Sequence, residues 1–302
     1  MVTEYCAVCP EETQGIPHDA LRQRVYRLQK RIGISDRATT HQAQNKIHSQ
    51  SIIDDWVRYI NQMVECYEIK AENIANFDET NVSFDSASKR TLSWRGENTI
   101  NMATATTSDR CTVMIGCSAT GYKFPAFVIF KGKPGGLIAR RELVTKVGYP
   151  IDSSIYDVQS NAWMDEPTLI RWVNTVWIPF ATHPEQTRRG LCLLLWDEFK
   201  AHMVSLVVHL LLLNNTVVEL VPAQNTLKCQ VMDVGLNRPF ETAMSNCYHD
   251  FVRDENMMQE AGTPIKPRQH HVAAWIRQAW YKDMKTSTIL NTWKHIGING
   301  QS

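Results

Sequence analysis

The chain is 302 residues long, 43% hydrophobic and 21% charged, with a formal net charge of +1. That length buries one sizeable core with room for an appendage at either end, and the near-zero charge excludes a general polycation, so any attraction to nucleic acid must come from local patches. Eight cysteines are too sparse for a disulfide scaffold, and the longest apolar run, Val204 to Leu213, is too short for a membrane span and is interrupted by His209; a soluble protein of a reducing compartment is expected.

Residues 1–16 carry no periodicity and read as a disordered end. Cys6 and Cys9 form a lone C-x-x-C with no second pair at zinc-site spacing. From Pro17 onward, Leu21, Val25, Leu28 and Ile32 recur at three- and four-residue steps, which predicts a short amphipathic helix. Between Pro17 and His48 seven basic residues (Arg22, Arg24, Arg27, Lys30, Arg31, Arg37, Lys46) stand against two acidic ones, Asp19 and Asp36. A positive segment of this kind attracts phosphates without regard to sequence, and the same pattern also suits a plain solvated helix.

From Ser51, the spacing of Ile52, Ile53, Trp56, Tyr59, Ile60, Met63, Val64 and Tyr67 predicts a strong amphipathic helix, with Ser51 and Asp54 resembling a cap. Short β-branched and aromatic runs follow at Ile74 to Phe84, Arg90 to Trp94, Cys111 to Ala119 and Lys123 to Gly132, and Ala119 to Gly121 reads as a hairpin turn. Antiparallel strands in succession are expected. The stretch from Lys131 to Trp163 is rich in turn residues and basic at its start (Lys131, Lys133, Arg140, Arg141, Lys146), which suits either a DNA-facing loop or a solvated excursion. A helix over 167–180 precedes LCLLLW (Leu191 to Trp196), whose unbroken apolar character marks a strand covered on both faces. Helix, strand (Thr216 to Val221) and helix alternate after it, so the fold class is α/β, a mixed sheet flanked by helices. Two amphipathic helices close the chain, with Trp275, Trp280 and Trp293 on their apolar stripes and therefore expected in the core.

Three aspartates draw attention: Asp78 in NFDETN, Asp197 in LCLLLWDEF and Asp233 in LKCQVMDVGLNRPF. Each lies where an apolar segment ends or a helix begins, so a fold can bring them together. At about 4 Å each pair repels by roughly 1 kcal/mol in water and roughly 4 at an effective dielectric near 20, so a converged trio calls for cations. Oxygen ligands without cysteine or histidine select magnesium or manganese, and hence phosphate chemistry. Glu79 and Glu198, one residue on from two of the aspartates, are expected to face the other way.

Several blocks in order, NFDETNVSFD, RCTVMIGCSATGYKFPAFVIFKGK, LLLWDEFKAH and LVPAQNTLKCQVMDVGLNRPF, resemble the DDE superfamily endonuclease domain of pogo and Tigger type, Tc1/mariner-related transposases, from about Ser51 to about Val252. The resemblance implies an RNase H-like fold with acids on the first strand, just after the fourth, and on a following helix. Carried onto this chain these are Asp78, Asp197 and Asp233, catalytic and metal-binding, the last two 36 residues apart. It further implies two Mg²⁺ or Mn²⁺ ions roughly 3.5 to 4 Å apart, cleavage of DNA at element ends and joining of the freed 3′ end to target DNA. Gln230, three residues before Asp233, and His202 are candidates for supporting the site from behind. Arg22, Arg24, Arg27, Lys30, Arg31, Lys131 and Lys133 are candidates for nucleic-acid contact. DNA is the expected partner, with a homo-oligomer on DNA conceivable and no membrane; the nucleus is the expected location.

The organisation that results is a disordered end at 1–16, a basic helical remnant of a helix-turn-helix module plus linker at 17–48, the RNase H-like endonuclease domain at 49–252 and a C-terminal helical extension at 253–302. Members of this family usually carry two helix-turn-helix modules, and there is no room here for both. Without them, affinity would rest on phosphate contacts that do not read bases. A catalytically inactive, host-retained nucleic-acid-binding or interaction protein is the alternative function, and the intact trio argues for the nuclease.

Overall fold

The computed structural model describes residues 46–84, 109–133, 135–136, 138, 154–182, 190–197, 204–223, 225–256 and 267–298. The chain divides into two compact units, Met1–His48 and Ser49–Ser302, and the sheet and the acidic residues belong to the second. The basic residues of 17–45, Cys6 and Cys9, the expected strand at Arg90 to Trp94, Arg140, Arg141, Lys146, Glu198 and His202 lie outside the described residues.

Helix α1 (Lys46–Cys66) leads into β1 (Ile74–Ser83), β2 (Arg110–Ser118), β3 (Ala126–Lys131) and β4 (Ser154–Gln159). Helix α2 (Glu166–Trp172) continues without interruption through a wider turn, Val173–Trp177, and a last turn, Ile178–Ala181. Then come β5 (Cys192–Trp196), α3 (Ser205–Leu213), β6 (Thr216–Leu220), the short α4 (Thr226–Cys229), a wide turn at Met232–Leu236, α5 (Asn237–Asn256), α6 (Gln269–Arg277) and α7 (Thr286–Ile296). No helix among the described residues is long and apolar enough to cross a membrane.

The six strands form one sheet in the order β4-β3-β2-β1-β5-β6. The β1/β2 and β2/β3 pairs are antiparallel; β1/β5, β5/β6 and β3/β4 are parallel. The turn between β2 and β3 is the one expected, with Gly121 at φ 84°, a conformation other residues rarely adopt. Strand β4 corrects the reading of 131–163 as one excursion. Its sequence, SIYDVQ, is short and bordered by turn residues, and only its parallel pairing along β3 makes it a strand.

Alternate residues of β1 serve opposite faces. Ile74 and Val82 join Val113, Ile115, Leu193 and Leu195 against α5, α6 and α7, through Phe240, Ile276, Ile289 and Trp293, and against Trp280 in the wide turn Gln278–Asp283 that follows α6. On the other face Ala75 and Phe77 join Leu194 and Trp196 against α2 and α3. Phe77 is the hinge of this second layer: its ring meets Trp172 edge-on at 4.9 Å and 80° and Phe124 tilted at 4.6 Å and 54°, and an edge-on pairing adds about 0.5–1.5 kcal/mol beyond area burial. Opposite Phe77 in the ladder stands Gly116, where a Cβ would lie 2.3 Å from the Phe77 ring, so this close approach requires glycine.

The last helices are packed into the same core as the sheet, with Trp275 and Trp280 buried along the predicted stripe. They are pinned at the β2–β3 corner by Lys123, whose Nζ donates to the carbonyls of Trp280 (3.1 Å), Tyr281 (3.3 Å) and Met284. Trp280 Nε1 in turn donates to the Phe124 carbonyl at 3.0 Å.

Candidate active site

Strands β1 and β5 pair over Ile74, Ala75 and Asn76 against Leu193, Leu194 and Leu195. Continued two residues, the same register sets Asp78 level with Asp197 and on one face of the sheet, at the carboxyl end of β5 where open α/β sheets place their sites. Asp197 thus follows the fifth strand in chain order and not the fourth, because β4 has been added at the far edge.

Asp233 arrives from a helix layer. It lies in the wide turn at Met232–Leu236 that opens α5, and three contacts fix that turn, two against the sheet and one against α7. Asn76, fully buried in β1, donates from Nδ2 to the Leu195 carbonyl at 2.8 Å and accepts at Oδ1 from Met232 N at 3.0 Å, joining β5 to the turn. Gly235 lies so close to α7 that a Cβ would come within 2.3 Å of Thr292 Oγ1. Asn237 Nδ2 donates both to Asp78 Oδ2 at 2.7 Å and to Asp233 Oδ1 at 3.0 Å, so one amide bridges the two carboxylates. The second oxygen of Asp78 accepts from Glu79 N at 2.9 Å.

Electrostatics register the same crowding. Burial, and then the negative charge of Asp233, push the Asp78 carboxyl up to about 8; the Asn237 hydrogen bond opposes the rise, and Glu79 and Asp197 add to it. Asp78 therefore feels both other acids. A pocket of about 190 Å³ is lined by Asp78, Glu79, Asn81, Thr112, Trp163, Met164 and Asp197. Glu79 has the strand parity of the opposite face, as its neighbour relation to Asp78 predicts, yet it borders the same pocket together with Asn81, which shares that parity.

Gln230 does not share a helical face with Asp233. It ends α4 with extended backbone (φ −84°, ψ 120°), which breaks the helix between them. Its side chain is buried, and its carbonyl accepts from Val234 N at 2.9 Å at the start of the Asp233 turn. Lys131 and Lys133 are exposed at the carboxyl end of β3, the end of the sheet toward which β1 also runs. Sequence reasoning missed Asn76, Asn237 and Trp163. The i, i+4 spacing of Asp233 and Asn237 was a readable signal; nothing local pointed to the others.

Oxygen donors only, on a site built from β1, the end of β5 and a helix start, suit hard divalent cations. Asn237 Oδ1, buried and without a hydrogen-bond partner, is a further oxygen at the same place. Among the described residues, however, no three His, Cys, Asp or Glu side chains stand close enough to hold an ion. The expectation that the trio calls for cations is corrected to this extent: a proton on Asp78 and the Asn237 amide also relieve the repulsion.

A mixed sheet with an antiparallel β1–β3 meander, parallel strands beyond β1, and helices on both faces is RNase H-like. The chain belongs to the DDE superfamily endonuclease family, whose sequence model matches residues 108–293. That match takes in Asp197, Asp233 and the closing helices, and begins after Asp78. The chain is 25% identical over 239 residues to the pogo transposable element with KRAB domain of Mus musculus and 23% identical over 240 residues to that of Homo sapiens, in each case over 77% of this chain and 37% of the relative, so it spans well under half the length of these proteins. The pogo-type resemblance is thereby shown. Among solved structures, the Mos1 mariner paired end complex with Mn is similar in fold, with a TM-score of 0.51, 12% identity, and coverage of 98% of this chain and 75% of that one.

Proposed function

We propose that the chain is the catalytic part of a transposase-derived endonuclease that cuts DNA strands and joins freed 3′ ends, with Asp78, Asp197 and Asp233 as the catalytic carboxylates. The observation that carries this reading is the crowding around Asp78, which shares one amide with Asp233 and lines one pocket with Asp197. Asp78 and Asp197, with Asp233 alongside, would hold Mg²⁺ or Mn²⁺, two ions in the family's manner. Bound there, such ions would supply activation of the attacking oxygen and stabilisation of the leaving one. Asp78 carries a proton near neutral pH when its charge is uncompensated, and must release it to act as a ligand. Asn237 keeps Asp78 and Asp233 from drifting apart, and Asn76 sets the depth of the turn that carries Asp233.

Lys131 and Lys133, with the basic residues of the first unit, would contact DNA phosphates without reading bases. Action on DNA as a homo-oligomer in the nucleus belongs to the same proposal. One observation favours the alternative, a nucleic-acid-binding module without catalysis: Asp78 and Asp233 already share the Asn237 amide. Incubation with Mg²⁺ or Mn²⁺ and labelled duplex DNA, beside Asp197→Ala, separates the two. Cleavage by the wild type that falls to background in the variant is expected; no cleavage, or equal cleavage by both, sinks the nuclease.

A further inference from the structure

Trp163 is 53% exposed, the only exposed tryptophan among the described residues, and it stands on the wall of the pocket that contains Asp78 and Asp197. The other described tryptophans on the sheet's two faces are core residues. An indole left half in water beside carboxylates has a cost in apolar exposure, and here the backbone is built to keep it there.

The loop that presents it is held at several residues. Gln159, the last residue of β4, accepts at Oε1 from Asn161 N (2.6 Å) and Trp163 N (3.1 Å) and donates from Nε2 to Asp165 Oδ2 (3.1 Å). Ala162 is buried with φ 57°, a left-handed conformation uncommon for alanine, and its carbonyl is gripped by Thr112 Oγ1 at 2.6 Å across from β2. Asp165 then caps α2 by accepting from Thr168 N at 3.0 Å. Strain of this kind persists only where the surroundings over-determine it, and it concentrates at functional sites. The Arg110 guanidinium lies over the indole ring, 5.9 Å from its centroid, which sets a cation against one of the two aromatic faces.

From this juxtaposition we propose that Trp163 is a stacking platform for an unpaired nucleobase next to the scissile phosphate, with Arg110 taking the phosphate of that nucleotide. The proposal rests on the reading of the site as a DNA endonuclease and deepens it, by specifying that the substrate is unstacked where it is cut. A base inside a duplex is covered on both faces by its neighbours, so only an extruded or frayed one can lie on the indole. Stacking accepts any base, which suits a chain whose other candidate contacts go to phosphates.

The test uses the full chain in Ca²⁺, with 2-aminopurine placed either unpaired beside a nick or fully paired. Wild-type protein is expected to quench the unpaired probe and bind that DNA about tenfold more tightly than Trp163→Ala does, with paired duplex bound equally by both. Trp163→Phe is expected to restore part of the quenching. Should Trp163→Ala fail to fold, shielding of Trp163 from acrylamide in the wild type, by unpaired but not paired DNA, reads the same contact. Equal quenching by wild type and Trp163→Ala, or equal shielding by both DNAs, overturns the proposal. The endonuclease reading stands or falls separately on Mg²⁺-dependent cleavage: stacking without cleavage supports the platform and removes the nuclease, and cleavage without stacking does the reverse.

Discussion

The sheet and the helix layer contribute to the site by different means. Asp78 and Asp197 come from β1 and the end of β5, and their mutual placement follows from the parallel register and from packing beneath it, where Phe77 is wedged among Trp172, Trp177 and Phe124. Asp233 comes from a turn held by Asn76, Asn237 and the close approach of Gly235 to α7. Two acids are thus placed by repetitive backbone pairing and a dry core, the third by a few specific polar and steric contacts. Damage on the sheet side is expected to cost the fold, and damage on the helix side to cost the third carboxylate first.

Four measurements strain this contrast. Gly116→Ala, which forces a Cβ to 2.3 Å from the Phe77 ring, is expected to have the largest effect, at or above the upper end of the roughly 1–3 kcal/mol seen for overpacking, with soluble yield and Tm falling together. An unchanged Tm would mean that the sheet side is not the rigid partner. Gly235→Ala is expected to cost about 1–3 kcal/mol, and combining it with Thr292→Ala, which removes the Oγ1 and Cγ2 atoms that a new Cβ would strike, should recover most of the loss. Failure of that rescue would mean the turn is held some other way.

Asn237→Ala is expected to lower Mn²⁺ affinity, measured by calorimetry, by roughly 10–100-fold while barely moving Tm. A large Tm drop with unchanged affinity would make Asn237 a structural link only. The last measurement concerns pH. Without metal, folded Asp78 releases its proton only at about 8, whereas the unfolded chain releases it near the ordinary carboxylate value, so between those limits the folded state binds more protons and stability declines as pH rises. Tm of the metal-free protein is expected to fall between about pH 4 and 8, and Asp78→Asn to flatten that slope. Equal slopes for wild type and variant would show that Asp78 is not the crowded acid.

The elements were largely legible because their signals are local. The spacing of Ile60 and Val64, the unbroken LCLLLW and the stripe through Trp275, Ile276 and Trp280 each report a face that must be buried, and each is buried. The segment with β4 failed the same reading, since a six-residue strand among turn residues gains its identity from the neighbour it pairs with. Gln230 failed for a related reason: spacing along the chain predicts a shared face only while the helix continues, and it stops there.

By itself, the sequence determined the fold class, the family and which three acids to consider, since apolar periodicity and ordered motif blocks are properties of the chain read in one dimension. Only the tertiary structure decided that Asp78 and Asp197 share a level across a parallel register, that one amide bridges Asp78 and Asp233, and that a strained loop holds Trp163 beside them. Those relations join residues far apart in sequence, and their energies come from burial, close contact and crowded charge, which exist only once the layers have packed.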